Sequence, residues 1–261
     1  MRLKISAFCW ECLKVRGNTK DDYDELLDEH PEMRGNYLVE MNEENIYRIE
    51  CHEGHVTYTI QQQKKFELLF DFGAMALLDG YTREAVTSMV AALERFIEFY
   101  ILIICLAKGK KAKDFASFWR LVGRQSERQI GAFLVLSLLE ENQTIPDLNE
   151  RANFRNKVIH QGYLPSVSEA IDYGEYVLGI IFPILKDLRE KYPKQLDQAD
   201  HMHLSKKLDL VENSRITSSS GPTIINMQSL YAADFGETTF EEALEQMKTE
   251  SYSRICFVRS M

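Results

Sequence analysis

Apolar residues recur along this chain with two different periods, and the change between them falls near residue 60. Before it, alternate residues are apolar in three stretches, 37–41, 46–50 and 56–60. A period of two places successive side chains on opposite faces of a half-buried strand, so these stretches predict a small β ribbon. From Gln61 onward the step lengthens to about 3.6 residues, the period of a helix with one buried face. Phe66, Leu69, Phe70, Gly73 and Leu77 follow that step up to a stop at Asp79-Gly80. A long second helix is expected behind Thr82 as its N-cap, with Val86, Met89, Val90, Leu93, Phe96, Ile97, Tyr100, Ile101 and Ile104 on one stripe. Phe115, Phe118, Trp119 and Leu121 mark a third helix, and Ile130, Phe133, Leu134, Leu136, Leu138 and Leu139 a fourth. A fifth is expected from Pro146 or Asp147 to Gln161, with the proline in its first turn and Gly162 and Pro165 as the stop. A sixth runs from Ser166 or Ser168 to about Lys191, with Pro183 as a kink. The aromatic residues on these stripes are expected in the core.

Short connections between such helices predict a mainly α chain, an antiparallel helical bundle carrying a small amino-terminal β element. The expected divisions are 1–60 for the ribbon, 61–192 for the bundle and 193–261 for a linker and extension. In that last part Ser218-Ser219-Ser220-Gly221-Pro222 reads as a breaker, 239–248 as a helix capped by Thr239, and 254–259 as a terminal strand. No internal repeat is visible.

The chain has 261 residues, 45% of them apolar, enough for an ordinary core. Its longest apolar run, 99–107, is far below the eighteen or so residues that cross a bilayer, so no membrane association is expected, and the charged start does not resemble a secretory signal. Five cysteines without such a signal fit a reducing cytoplasm rather than a disulfide framework. The net charge of −9 argues against a protein that coats nucleic acid. That charge is uneven. Asp21, Asp22, Asp24, Glu25, Asp28 and Glu29 form an acidic insertion within the ribbon, whereas Lys110, Lys111 and Lys113, followed by Arg120, Arg124 and Arg128, form a basic patch. Lys110, Lys111, Lys113 and Arg124 are the candidates for steering RNA; a plain solvated surface is the competing reading.

Cys9-Trp10-Glu11-Cys12 is a C-x-x-C pair, and Cys51-His52-Glu53-Gly54-His55 adds a third thiol with two nearby imidazoles. Two tight turns carrying such pairs suit tetrahedral zinc, whose thiolate bonds are about 2.3 Å and imidazole bonds about 2.0 Å. Cys9, Cys12, Cys51 and His55 are the expected ligands, because Gly54 lets the chain reverse between Cys51 and His55, whereas His52 must point elsewhere on an extended strand. The zinc would be structural, since no open coordination position is implied. Free thiols, or a redox pair, are the alternatives; the redox pair lacks its βαβ setting. Cys105 and Cys256 read as small buried apolar residues.

One further cluster proposes a reaction. Asn153-Phe154-Arg155-Asn156-Lys157-Val158-Ile159-His160 closes a helix and carries Arg155, Asn156 and His160 in the pattern Arg-Asn-x-x-x-His. Imidazole titrates near neutral pH and can move a proton, and guanidinium is a permanent cation shaped for phosphate. Asn156 and His160, four residues apart, share a helix face, so Asn156 can orient the imidazole or meet ribose, while Arg155 must reach round with its length. Glu94 and Glu98 are candidate partners for Arg155. The bland alternative pairs Arg155 with Glu150 and leaves His160 as a cap on the helix end. No phosphate-binding glycine loop, G-x-S-x-G elbow or paired acidic metal site competes.

Across residues 60–192 this pattern resembles the HEPN superfamily, the higher eukaryotes and prokaryotes nucleotide-binding domains, many of which are ribonucleases. The resemblance implies catalysis by Arg155, Asn156 and His160 without a catalytic metal, at the cleft of a homodimer, on cellular RNA. A toxin or antiviral defence role, with a regulatory protein partner, follows from the same resemblance. The competing reading of the whole chain is a non-catalytic HEPN-like bundle that binds RNA, a nucleotide or a protein.

Overall fold

The computed structural model describes residues 2–9, 11–12, 34–140, 148, 151–208, 216–249 and 256–257. The chain divides into two compact units. One comprises residues 1–63, 201–222 and 250–261; the other comprises 64–200 and 223–249.

The first unit holds two three-stranded sheets. In one, β1 (Arg2–Phe8) lies between β2 (Arg34–Glu40) and β6 (Cys256–Phe257), antiparallel to both. In the other, β3 (Ile46–Glu50) and β4 (Val56–Gln61) form a hairpin in which Ile46 faces Ile60 and Glu50 faces Val56. β5 (Ile216–Ser219) adds to β4 in parallel. The expected alternation holds: Tyr47, Ile49 and Cys51 are buried while Arg48 and Glu50 are exposed. Thr59 and Thr217 join the hairpin to β5 through their hydroxyls at 2.8 Å, and Gln62 N–H donates to the Ser219 carbonyl at 2.9 Å.

The second unit is helical and is arranged on one long helix. After α1 (Lys65–Leu78) the chain reverses at Gly80, whose φ of +85° is the left-handed region that glycine enters without strain, and runs back as α2 (Thr82–Ala107). Against α2 pack α1, α4 (Ser126–Leu139), α5 (Ala152–His160) and α6 (Val167–Lys191), with α3 (Ala112–Val122) beside it; α7 (Pro193–Leu208) belongs to this unit as far as residue 200, and α8 (Phe240–Thr249) follows. The core is aromatic: Phe66 meets Phe96 edge-on at 5.5 Å between ring centres, and Tyr100 meets Phe133 at 5.0 Å. Of the two expected starts of α6, Ser166 is its cap, accepting from Glu169 N–H at 3.2 Å while Glu169 accepts from Ser166 N–H at 2.8 Å. Thr239 and Glu242 repeat that device on α8.

Several sequence expectations change. Thr82 is the first helical residue rather than the cap, and its hydroxyl donates to the Pro165 carbonyl at 2.7 Å. The stripe on α3 is not core: no residue of α3 is buried, Phe115 and Trp119 stack on each other, and Leu121 is exposed. On α4 only Phe133 of the predicted stripe is buried, and Leu138 and Leu139 are exposed. Cys105 is half-buried. The acidic insertion and the Pro146-Asp147 start of the motif helix lie outside the described residues, as does the burial of Cys256; α5 is described from Ala152.

Residues 193–261, expected to be a linker and extension, instead contribute to both units. Part of the expected breaker, Ser218 and Ser219, is strand β5. The stretch after it is held by three carboxylates, two of them, Asp71 and Glu67, buried and the third, Glu175, half-buried. Asp71 accepts from Ile224 N–H at 2.9 Å, Glu67 accepts from Met227 N–H at 2.9 Å, and Glu175 accepts from Phe240 N–H at 2.6 Å. The Phe240 ring then lies on Gly174, where any side chain would collide with it, and packs edge-on against Phe70 at 5.3 Å.

Glu67 is 1% exposed. Burial pushes its carboxyl up to about 7, against the opposing pull of the Met227 and Lys64 N–H groups and the Lys64 charge. A native state that holds a proton more tightly than the unfolded chain gains stability that is complete below the ordinary 4.5 and lost as pH rises through about 7. Relative to Glu67→Gln, which cannot titrate, the wild type should therefore lose about 3 kcal/mol between pH 4.5 and 7. Urea unfolding of both proteins across that range checks this; a constant difference between them would refute it.

Candidate functional site

Two groups of chemistry-bearing residues occur, one in each unit. In the β unit, Cys9 follows β1 directly, and Cys12 lies three residues on. Cys51 and His55 flank the β3–β4 turn, where Gly54 at φ +77° donates its N–H to the Cys51 carbonyl at 2.9 Å and Cys51 N–H donates to the His55 carbonyl at 3.0 Å. The turn therefore places the Cys51 thiol and the His55 ring on the same side. All four ligand atoms lie within 4.8 Å of one another. Cys12 Sγ is 3.7 Å from Cys51 Sγ and 3.5 Å from His55 Nδ1, and Cys51 Sγ is 3.6 Å from His55 Nδ1. A tetrahedral ion with sulfur bonds of about 2.3 Å and nitrogen bonds of about 2.0 Å has edges of about 3.8 Å and 3.5 Å. The cluster is thus dimensioned to hold a four-coordinate metal ion.

His52 is excluded as expected: its side chain is 78% exposed and pairs with Glu53 at 3.3 Å. Thiol protonation follows the crowding of the sulfurs. Burial, together with the Cys51 and Cys9 thiols, pushes Cys12 up to about 12. Burial also raises Cys51, but the Glu53 and His55 N–H groups and the neighbouring thiols outweigh it and bring Cys51 down to about 7. Tyr37 is a neighbour that the sequence did not single out; burial and then the charges of Cys51, Cys9 and Cys12 raise its phenol. Its ring folds back over Gly35, two residues earlier on the same face of β2, where a side chain would block it.

In the helical unit the motif residues sit on α5, whose buried residue is Val158. Arg155 is half-buried and donates from Nε and one terminal nitrogen to Asn156 Oδ1, at 3.3 and 3.2 Å. The Asn156 oxygen therefore serves Arg155 rather than His160. Arg155 also lines a cavity of about 30 Å³ shared with Glu94, Gln129, Arg151, Tyr173 and Tyr176. That is room for about one or two waters. Glu94 accepts there from Ser126 Oγ, and Gln129 gives its amide N–H to the Gly123 carbonyl at 2.9 Å, which leaves its buried oxygen without a protein partner. Burial raises the Tyr173 phenol, with Tyr176 adding to the effect. Of the two carboxylates expected near Arg155, Glu94 shares its cavity, whereas Glu98 pairs with Arg95 on its own helix.

His160 is the last residue of α5 and is exposed. The helix ends behind it as predicted, at Gly162 with φ +71°, and the Gln161 and Tyr163 N–H groups both return to the Lys157 carbonyl at 3.1 Å. Asn153, Lys157 and His160, spaced by four and three residues, form one exposed stripe. That stripe borders an open groove of about 410 Å³ lined by Arg151, Asn153, Phe154, Lys157, Tyr163 and Glu169. The i, i+4, i+7 spacing could have identified Asn153 and Lys157 from sequence alone; Tyr163 and Glu169 come from beyond the helix stop. Within one chain, then, hydrogen bonds bring Arg155 and Asn156 together, and among the described residues none joins His160 to either of them.

Lys110, Lys111, Lys113 and Arg124 are all exposed, and none has an ion pair among the described residues. The three lysines follow the carboxyl end of α2, whose last residue, Ala107, is thirteen residues past Glu94, about 20 Å along the helix axis at 1.5 Å per residue. Arg124 is nearer the motif, two residues before the Ser126 that donates to Glu94. Among the described residues no helix is long and apolar enough to cross a membrane. Compared with known proteins, the chain matches no family model, no curated protein and no solved structure.

Proposed function

We propose that the helical unit is a metal-independent endoribonuclease of HEPN type and that the Cys9, Cys12, Cys51 and His55 cluster holds structural zinc. The reading of α5 is carried by one observation: an Arg155 guanidinium anchored on Asn156, one to two turns before an exposed His160 at the end of the same helix. An imidazole removes the proton from a ribose 2′-hydroxyl; the 2′-oxygen attacks the adjacent phosphorus, the bond to the 5′-oxygen breaks, and a second imidazole returns a proton to that oxygen. The products are a 2′,3′-cyclic phosphate and a 5′-hydroxyl. Arg155 balances the charge that builds on the non-bridging oxygens. A single His160 cannot serve both sides of the phosphorus, so the active species is a homodimer that presents two copies across its two-fold axis. Cellular RNA is the substrate, and a toxin or antiviral defence effector, held by a regulatory protein, is the setting such an activity suits.

The zinc assignment rests on a donor set of three thiols and one imidazole within 4.8 Å of one another, in which Cys12, Cys51 and His55 stand at the separations of a tetrahedral zinc site. A second reading of the helical unit, a binding module without turnover, is favoured by the separation of His160 from Arg155 within one chain.

Purified protein incubated with mixed RNA, including transfer RNA, and a mild magnesium chelator should leave cyclic-phosphate ends by mass spectrometry, with the rate falling roughly 10²- to 10⁴-fold in His160→Ala. A product with a 5′-phosphate, or equal negligible cleavage by both proteins, would sink the ribonuclease reading.

Protein prepared without added zinc should contain about one zinc ion per chain, lost in Cys9→Ser plus Cys12→Ser. Elemental analysis decides the matter; wild type without zinc, or unchanged content in the double variant, overturns the assignment.

A further inference from the structure

The groove beside His160 has a composition that the cleavage chemistry does not use. At about 410 Å³ it is within the size range of small-molecule sites, and it carries two aromatic rings, a lysine and an amide along its wall. Tyr163 is 40% exposed yet held on three sides. Its hydroxyl donates to Glu169 Oε1 at 2.8 Å, its N–H donates to the Lys157 carbonyl at 3.1 Å, and Phe154 packs edge-on against it at 6.3 Å between ring centres and 76° between planes. A ring fixed in this way loses little freedom when a flat ligand stacks on it.

Both Glu169 oxygens are committed within the protein, one to Tyr163 and the other to Ser166 N–H. The exposed polar groups of the groove are Asn153 and Lys157, and the half-buried Arg151 lines it as a second cation; the Lys157 charge helps to lower the Glu169 carboxyl, with no direct ion pair between the two among the described residues. An aromatic face beside cationic side chains is the arrangement with which proteins hold single-stranded nucleic acid, the base stacking and the phosphate paired. Lys157 and His160 lie on one stripe of α5, about 4.5 Å apart along the helix axis.

We propose that this groove is a nucleotide subsite, in which one unpaired residue of an RNA chain stacks its base on Tyr163 and places its phosphate on Lys157, next to His160. The inference rests on the ribonuclease reading of α5 and deepens it: the substrate is single-stranded at the cut, and stacking selects for that state with little regard to base identity, since every base offers a π face.

The test is a fluorescence titration of the full-length protein with a 2′-O-methyl oligoribonucleotide, which can bind but not be cleaved. Tyr163→Ala should bind roughly 5- to 150-fold more weakly, the range seen for loss of one stacked base, and Tyr163→Phe should restore binding. Lys157→Gln should reduce the slope of log Kd against log salt by about one and, at an exposed position, reports even where Tyr163→Ala fails to fold. A wild type that cleaves RNA while Tyr163→Ala and Lys157→Gln bind like wild type overturns the subsite and leaves the ribonuclease standing. The predicted pattern without any cleavage supports the subsite and removes the ribonuclease. Equal competition by a poly-glutamate peptide would show a general anion site and overturn the assignment to nucleic acid.

Discussion

The apolar surface of α2 dictates the helical unit. Between Phe96 and Ile104 every residue except Glu98 and Leu102 is buried, so the helix is apolar round most of its circumference rather than along one stripe. Such a helix cannot lie at a surface; it has to be covered from several sides. α1, α4, α5 and α6 supply that cover, and each keeps one apolar face for it. On α5 the requirement is met by Val158, 0% exposed, with the half-buried residues beside it. Burial of one such side chain stabilises by about 1.5 to 3 kcal/mol, enough to seat a nine-residue helix only with help from its neighbours. The rest of α5 is therefore free of core duty, and Asn153, Lys157 and His160 remain in solvent.

Periodicity carried the sequence reading wherever burial was its cause. The two-residue alternation around Tyr47 and Ile49 and the long stripe of α2 describe side chains that are in fact inside, and the glycine stops at Gly80 and Gly162 mark chain reversals that only a left-handed residue makes easily. The same pattern misled on α3 and α4. Phe118, Leu121, Leu138 and Leu139 have helical spacing and remain exposed, because spacing records which face is apolar and not whether anything lies against it. Residues 223–240 failed for the opposite reason. Their place is fixed by backbone N–H groups bonded to Asp71, Glu67 and Glu175, and a backbone donor leaves no trace in the side-chain pattern of the segment that carries it. The acceptors were in plain sight, but acidic residues at helical spacing read as a solvated face until their burial is known.

The Cys9, Cys12, Cys51 and His55 cluster shows how short-range chemistry can survive a long interruption. Each half is local: Cys9 and Cys12 are three residues apart at the end of β1, and Cys51 and His55 are joined by a turn that Gly54 makes possible. What brings the halves together is pairing of distant segments, and neither spacing encodes it. The residue types alone were sufficient to choose His55 over His52, since a strand alternates its side chains and the turn returns only the later histidine to the Cys51 side. Tyr37 belongs to the surroundings of the thiols for a reason no motif contains, namely that Gly35 leaves the space into which its ring folds.

On α5 the structure adds relations between Arg155, Asn156 and His160 that spacing does not give. Four-residue spacing puts Asn156 on the His160 face, yet the same asparagine is also adjacent to Arg155, and a charged donor with two N–H groups competes better for one carbonyl oxygen than a neutral ring does. Asn156 thereby fixes the guanidinium at the rim of the cavity it shares with Glu94. Five residues along a helix amount to about 500°, which leaves Arg155 some 140° round the axis from His160. A phosphate held by that guanidinium is therefore not delivered to the imidazole of the same helix unless the arginine leaves Asn156 or a second copy supplies the histidine. Exchange of the Arg155 bond for a phosphate contact keeps one charge-assisted partnership for another, so the first route needs no large rearrangement; the second needs none within the chain. Both leave Asn153, Lys157 and His160 exposed along one edge of α5, away from the face that carries Val158.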